Sequence, residues 1–288
     1  AAGLVIIIPV ILLLWKWADS RTGSTFMADQ ERHLSLLAYP TAHLWFLEVL
    51  LILYLVAAAL AQLGRWPQLA GRLARIDAAF DWLMRQPLKP LLLAVPTLAL
   101  LWGGPRIPDI DNAGMRLLPA AGAVAYYGLF FAVGWWLHRR SHLMDLMHNW
   151  QLAYFATALV TFIALGWSMK AAASPAAANW TAIKLTALAA SALYAWCMTF
   201  ALTGLFLRIA SGHRPWVRYL ADASYWWYLW HLPVVLLLQI VIADWPVNGW
   251  LKLLGMLIVT TAILLPSYQI MVRHTWIGRL LNGPRERV

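Results

Sequence analysis

Eight long apolar runs divide the chain, at residues 3–17, 43–63, 88–102, 116–137, 150–168, 181–207, 220–243 and 249–271, with short polar segments between them. The apolar positions are continuous rather than alternating, which excludes the strands of an outer-membrane barrel. About 20 apolar residues make a helix long enough to cross a bilayer. A backbone in lipid must satisfy its own hydrogen bonds, so each run predicts a helix. The first and third runs are short for a full span, as a tilted, re-entrant or clipped helix would be. The pattern predicts an all-α, polytopic helical membrane protein with about eight transmembrane helices, in one domain over residues 1–288.

Two polar segments carry a pattern of their own. Residues 65–87, RWPQLAGRLARIDAAFDWLMRQP, place Leu69, Leu73, Ile76, Phe80 and Leu83 at three- and four-residue spacing, with arginines around them. That pattern predicts a helix lying on the cytoplasmic leaflet. Residues 18–42 form a mixed-charge loop long enough to cap a cavity from the outer side. With eight crossings both termini share a side. Fourteen Lys and Arg fall on that side, among them Arg65, Arg139, Arg140, Arg214, Arg218 and Arg273, against eight on the other. The excess of positive charge places both termini in the cytoplasm.

Composition supports lipid as the solvent: 62% of residues are hydrophobic and 12% charged, with a mean hydropathy of +0.66, where soluble domains sit near half apolar and a quarter charged. The 19 tryptophans fit the membrane–water interfaces, where indole rings collect. The net charge of +10 is spread in short clusters between apolar runs, which reads as topology and not as a nucleic-acid surface. The single cysteine, Cys197, excludes an internal disulfide and a cysteine-based metal site. Ala1-Ala2-Gly3 leads directly into LVIIIPVILLLW, with no basic start and no cleavage site of the kind that marks a signal peptide. The chain therefore reads as beginning partway through a protein. Asn179-Trp180-Thr181 matches a glycosylation sequon, which matters only in a eukaryotic secretory pathway.

Candidate chemistry lies where ionisable groups interrupt apolar runs, because such groups are costly in lipid and face a bundle interior or a wet cavity. His231 sits in the middle of the seventh run, within SYWWYLWHLPVV, and Trp227 and Tyr228 share its helix face. Pro233 has no N–H to give the carbonyl of Leu229, so it leaves a free acceptor and a kink beside the histidine. His231 is either a cavity wall or a structural hydrogen-bonding group between helices. His43 opens the second run and Glu48 lies deeper in it. Five residues on a helix is a rotation of about 140°, so the two do not share a face. His43 also fits a merely solvated position at the interface. His138, His142, His148 and Asp145 cluster in one loop, but Arg139 and Arg140 repel a cation there, so the loop reads as solvated and no metal is expected. P-loop, dinucleotide-binding, serine-elbow and zinc-protease motifs are all missing.

HLWFLEVLLILYL at 43–55, FFAVGWWLHR at 130–139, SYWWYLWHLPVVLLLQ at 224–239 and IGRLLNG at 277–283 resemble the acyltransferase-3 family of membrane acyltransferases. The branch most similar includes the osmoregulated periplasmic glucan succinyltransferase. The resemblance implies about ten helices in a bacterial inner membrane, with both termini cytoplasmic. It implies transfer of an acyl group, of succinyl or acetyl type, from a cytoplasmic acyl-CoA to hydroxyls of a periplasmic or cell-surface glycan. Acyl-CoA would be a co-substrate, with no bound cofactor, and the partners would be the glycan acceptor, the bilayer and periplasmic glucan-synthesis proteins. Family members start with two further helices, which carry a histidine regarded as the catalytic base and an RxxR stretch. This sequence begins after them, so it reads as a fragment or truncated relative and is expected to transfer acyl groups slowly. Within the sequence, His231, His43 and Glu48 are the candidate catalytic residues. Trp45, Trp227 and Tyr228 are expected to line the substrate path, with Arg214 and Arg218 meeting the phosphates of CoA. A transporter or flippase, or a non-catalytic membrane subunit, would use the same buried groups. Transporters often show inverted repeats, and none is evident.

Overall fold

The computed structural model describes residues 2–23, 42–103, 118–173, 179–210, 212, 214–276, 278 and 279. Residues 24–41, which hold most of the expected outer cap, and the closing 280–283 lie outside the described residues, as does the side chain of Leu69. Every assigned element among the described residues is helical. The helices are α1 (Ala2–Thr22), α2 (Trp45–Leu63), α3 (Ala70–Arg85), α4 (Lys89–Trp102), α5 (Ala121–Arg139), α6 (Gln151–Ala172), α7 (Trp180–Ala210), α8 (Pro215–Ile242) and α9 (Gly249–Ser267). Each of the eight apolar runs contains a helix among the described residues. Five stretches are long and apolar enough to cross a bilayer: Ala42–Leu63, Gln151–Ala172, Trp180–Ala210, Pro215–Ile242 and Gly249–Val272. The apolar helix Lys89–Trp102 is shorter. Large apolar side chains point outward along these stretches, among them Leu152, Val160, Phe162 and Ile163 on α6, each more than half exposed. A contiguous apolar surface of that kind needs lipid around it, and the chain is a membrane protein.

The chain forms two compact units. The first comprises residues 1–45 and 213–288, with 114–117, and holds α1, α8 and α9. α1 packs on α8 with Ile7, Ile8 and Ile11 buried, a stripe at helical spacing. Pro215 starts α8 at a position where its missing N–H costs nothing. Asn248 caps α9 by accepting from Trp250 N at 2.8 Å. α8 and α9 are joined by side chains as well as by packing. Trp226 Nε1 donates to Ser267 Oγ at 3.0 Å, and the Tyr219 hydroxyl donates to the Leu265 carbonyl at 3.2 Å. Beyond α9 the chain widens into a π-helical turn, Tyr268–Val272, in which Tyr268 and Val272 are fully buried.

The second unit comprises residues 46–113 and 118–212 and holds α2 to α7. Its core is centred on Trp196 and Phe200 of α7, with Leu93 and Leu101 of α4, Tyr154 of α6 and the 3₁₀ turn Ser141–His148 around them. Phe130 of α5 stacks flat on Trp196, with ring centroids 4.2 Å apart. Lys89 is buried beneath this core. Its Nζ donates to the Met84 carbonyl at 3.0 Å and lies over the rings of Tyr154 and Phe200, so cation–π attraction replaces part of its lost hydration. Trp196 Nε1 donates to Thr97 Oγ1 at 2.8 Å, and both side chains are fully buried. Thr97→Val is expected to leave that indole N–H without a partner. The cost is about 1–3 kcal/mol, above the ~0.6 kcal/mol average for polar pairs between membrane helices. A thermal melt in detergent indistinguishable from wild type would contradict this.

Residues 65–87 form a 3₁₀ turn, Pro67–Leu69, and then α3. Phe80 and Met84 are buried, while Ile76 is exposed. Asp77 and Asp81 are also partly buried, on the side of α3 that meets α5. Asp77 accepts from Trp136 Nε1 at 2.9 Å, and both Asp81 oxygens accept from the Arg140 guanidinium. These hydrogen bonds to Asp81, with the charges of both aspartates, push Arg140 above even its usual range. α3 is thus tied to the end of α5 by charge as well as by apolar contact.

Candidate functional site

Ser224, Trp227, Tyr228 and His231 recur along α8 at three- and four-residue intervals, so they share one face of the helix. Four residues before Pro233, the Leu229 carbonyl has no backbone donor, as a proline in a helix interior requires. His43 fills that vacancy in the ladder. Its Nε2 lies 3.2 Å from the Leu229 oxygen, across 186 positions of sequence. A carbonyl can only accept, so Nε2 of His43 carries the hydrogen.

The local chain path explains how His43 reaches α8. Residues Ala42–Leu44 form a short 3₁₀ turn before α2 begins, and Ala42 has φ of 47°. That left-handed conformation is costly for an alanine, and the contacts of the next residue hold it in place. The Tyr228 hydroxyl donates to the His43 carbonyl. The two elements are therefore bound reciprocally, the side chain of each to the backbone of the other. The turn Ala42–Leu44 runs directly into α2, within the continuous helical stretch Ala42–Leu63. Glu48 belongs to the second unit, in the first turn of α2. Trp45 is half-buried at the first position of that helix.

The His43 ring meets the His231 ring edge to face, with centroids 5.1 Å apart and planes at 84°. Tyr228 lies 5.5 Å from His43 and 6.0 Å from His231, so three rings cluster. His231 Nδ1 lies 2.9 Å from the Tyr228 carbonyl and 3.1 Å from that of Trp227. Both partners are acceptors, so Nδ1 bears the hydrogen, and in the tautomer that this selects Nε2 is the nitrogen that carries the lone pair. By the same reasoning His43 Nδ1 is a lone-pair nitrogen. It is covered and has no hydrogen-bond partner among the described residues.

Leu220, Ala223, Ser224, Trp227, Tyr228 and His231 of α8, with Leu265 of α9, line a cavity of about 340 Å³. From Leu220 to His231 it follows α8 for about 16 Å. Its walls are largely apolar, with Ser224, Trp227, Tyr228 and His231 as the polar exceptions, the composition expected of a ligand site. Arg214 and Arg218 are exposed at the start of α8, beyond the Leu220 end of the cavity. Arg273 lies over the Tyr219 ring at 5.2 Å and donates to Gln269 Oε1 at 2.8 Å.

The structure brings His43, Tyr228, Trp227 and His231 together, places Arg214 and Arg218 at the other end of the same helix, and leaves Trp45 and Glu48 on α2. Among the described residues no group of three or more His, Cys, Asp or Glu side chains is arranged to hold a metal ion. His142, Asp145 and His148 fall in the 3₁₀ turn Ser141–His148 of the second unit. The pairing of His43 with Leu229 had one signal in the sequence, the carbonyl that Pro233 frees. The direction of the His231 ring had none. A family model described as an acyltransferase domain matches residues 2–269. No match is found among curated proteins or among solved structures.

Proposed function

The chain belongs to the acyltransferase-3 family, and from that premise we propose that it moves an acyl group from a cytoplasmic acyl-CoA to a hydroxyl of a glycan on the outer side of a bacterial inner membrane. Membership supports a membrane acyltransferase; the donor, the acceptor and the residues are our reading. The observation that carries it is the fixed ring of His231. With Nδ1 engaged by two backbone carbonyls, Nε2 is the nitrogen left to take a proton in a cavity with largely apolar walls. O-acylation requires that chemistry, because a sugar hydroxyl must lose its proton as it attacks a thioester. The reaction moves one proton off the hydroxyl and another onto the departing thiolate. His231 can serve one transfer while another group serves the second.

The cavity offers a path as well as a base. Arg218 lies about 20 Å from His231 along the helix, and the cavity begins two residues beyond that arginine. In this reading the phosphates of CoA meet Arg214 and Arg218 while the long pantetheine arm carries the thioester toward His231. Guanidinium groups suit phosphate through paired N–H donors. His43 holds the proline-interrupted helix beside His231 and acts as a positioning residue. A succinyl or acetyl group and a periplasmic β-glucan are the donor and acceptor classes the reading favours.

The test uses right-side-out membrane vesicles containing the full-length protein, loaded with radiolabelled acetyl-CoA or succinyl-CoA, with a β-1,2-glucan added outside. The expected result is alkali-labile label on the external glucan, dependent on the protein. Absence of labelled ester with both donors would overturn the assignment. So would ester formed only when donor and glucan share one side.

A further inference from the structure

A base alone does not carry an acyl transfer, because negative charge builds up on the carbonyl oxygen as the hydroxyl attacks. Hydrogen-bond donors waiting at that oxygen usually contribute most to the rate. One candidate donor belongs to a residue that lines the α8 cavity, and no hydrogen bond among the described residues engages it. Trp227 Nε1 is wholly covered and has no hydrogen-bond partner among the described residues. A covered N–H without a partner costs free energy, and native structures hold few of them. The neighbouring indole shows the contrast. Trp226 Nε1 is bonded to Ser267 Oγ, and in the second unit Trp136 and Trp196 are bonded to Asp77 and Thr97.

Trp227 is four residues before His231, the spacing that stacks two side chains on one helix face, and both line the same cavity. The donor and the lone pair are thus about one helical turn apart on a single rigid element. The other polar groups at the cavity are already engaged: the Ser224 hydroxyl donates to the Ala221 carbonyl at 2.7 Å, and the Tyr228 hydroxyl to the His43 carbonyl.

Resting on the acyl-transfer reading above, we propose that the Trp227 indole N–H is the donor that binds the thioester carbonyl oxygen and stabilises the oxyanion formed there. The hydroxyl oxygen of the acceptor bonds to the carbonyl carbon, its proton passes to His231 Nε2, and the carbonyl π pair moves onto the oxygen held by Trp227. Collapse of that intermediate re-forms the C=O bond and breaks the C–S bond. The CoA thiolate leaves and takes a proton, and the product is an ester. Trp227 is then a catalytic residue that contributes most in the transition state.

The experiment measures thiol release from acetyl-CoA and succinyl-CoA, with a β-1,2-glucan acceptor, by the full-length protein in proteoliposomes. Trp227→Phe keeps the ring stack and deletes the N–H. It is expected to lower kcat by about 10²-fold, with KM for the donor and the pH profile unchanged. A purely structural tryptophan would instead change the melting temperature or KM. If Trp227→Phe does not purify, 3-benzothienylalanine at position 227 replaces only the N–H by sulfur and carries the same expectation. A kcat within twofold of wild type, or a loss carried by KM alone, overturns the proposal. His231→Asn, assayed in parallel, separates the two ideas. Activity lost in His231→Asn but kept in Trp227→Phe removes only the oxyanion role. Activity kept in both removes the acyl-transfer reading of this cavity as well.

Discussion

His231→Asn is expected to lower acyl transfer by the full-length protein roughly 10²–10⁴-fold, the usual contribution of a positioned general base, while the protein still inserts and melts near the wild-type temperature. Asparagine is the informative replacement because of where its atoms fall. Its amide nitrogen occupies the place of Nδ1 and can still donate to the Trp227 and Tyr228 carbonyls, the bonds that hold the ring in the structure. Nothing in asparagine replaces Nε2. A histidine whose role is only to tie the helix together would therefore be replaced at little cost, since polar contacts between membrane helices average about 0.6 kcal/mol. His231→Gln supplies the complementary case: its amide reaches the Nε2 position, but it cannot take up a proton at neutral pH. Equal and severe losses in both variants assign proton transfer to Nε2. Near-normal turnover by His231→Asn would end that assignment.

Gly204→Ala is expected to be the most damaging of the conservative changes in the second unit. A Cβ at position 204 would fall well inside 3.0 Å of the Met147 carbonyl oxygen and reach its carbonyl carbon at 3.0 Å. Those atoms are backbone, so no rotamer change relieves the clash. The 3₁₀ turn Ser141–His148 has to lift away from α7, and with it Leu143 and Met147, both fully buried. Overpacking of this kind costs about 3 kcal/mol or more when side chains cannot yield, a large fraction of the ~5–15 kcal/mol that holds a domain folded. The measurement is the melting temperature in detergent, with the yield of monodisperse protein. Gly134→Ala serves as the control, since nothing lies within 4 Å of a Cβ there. Its expected effect is neutral, or stabilising by up to ~1 kcal/mol. A Gly204→Ala protein as stable as Gly134→Ala would mean that α7 and the turn do not pack as described.

Much of the fold is legible because lipid simplifies the code. Continuous apolar runs locate the helices, and the proline in α8 identifies the carbonyl that needs a donor. Periodicity is informative only along one helix, however, and says nothing about which side chain meets which across the bundle. The contact between His43 and the Leu229 carbonyl depends on a left-handed alanine at 42, and alanine gives no warning of that conformation. The partners of α3 were out of reach for a different reason: Asp77 and Asp81 find an indole N–H and a guanidinium on another helix, and no spacing along α3 announces that. The Trp227 N–H could not be singled out either. Nineteen tryptophans look alike in sequence, and only coordinates show that the Trp227 N–H is covered with no hydrogen-bond partner among the described residues.

The proline gap in α8 also has a mechanical consequence. A helix missing one rung of its ladder bends easily at that rung, and here the missing rung is supplied by a side chain from a turn 186 positions earlier. Pro215–Trp230 and Pro233–Ile242 are parts of one continuous helix, and the stiffness of the rung between them is set from outside that helix. His231 sits beside that rung, directly before Leu232 and Pro233. Any load that pulls the Ala42–Leu44 turn away from α8 would loosen the rung at Leu229, so the straightness of α8 beside His231 depends on a segment far away in the chain.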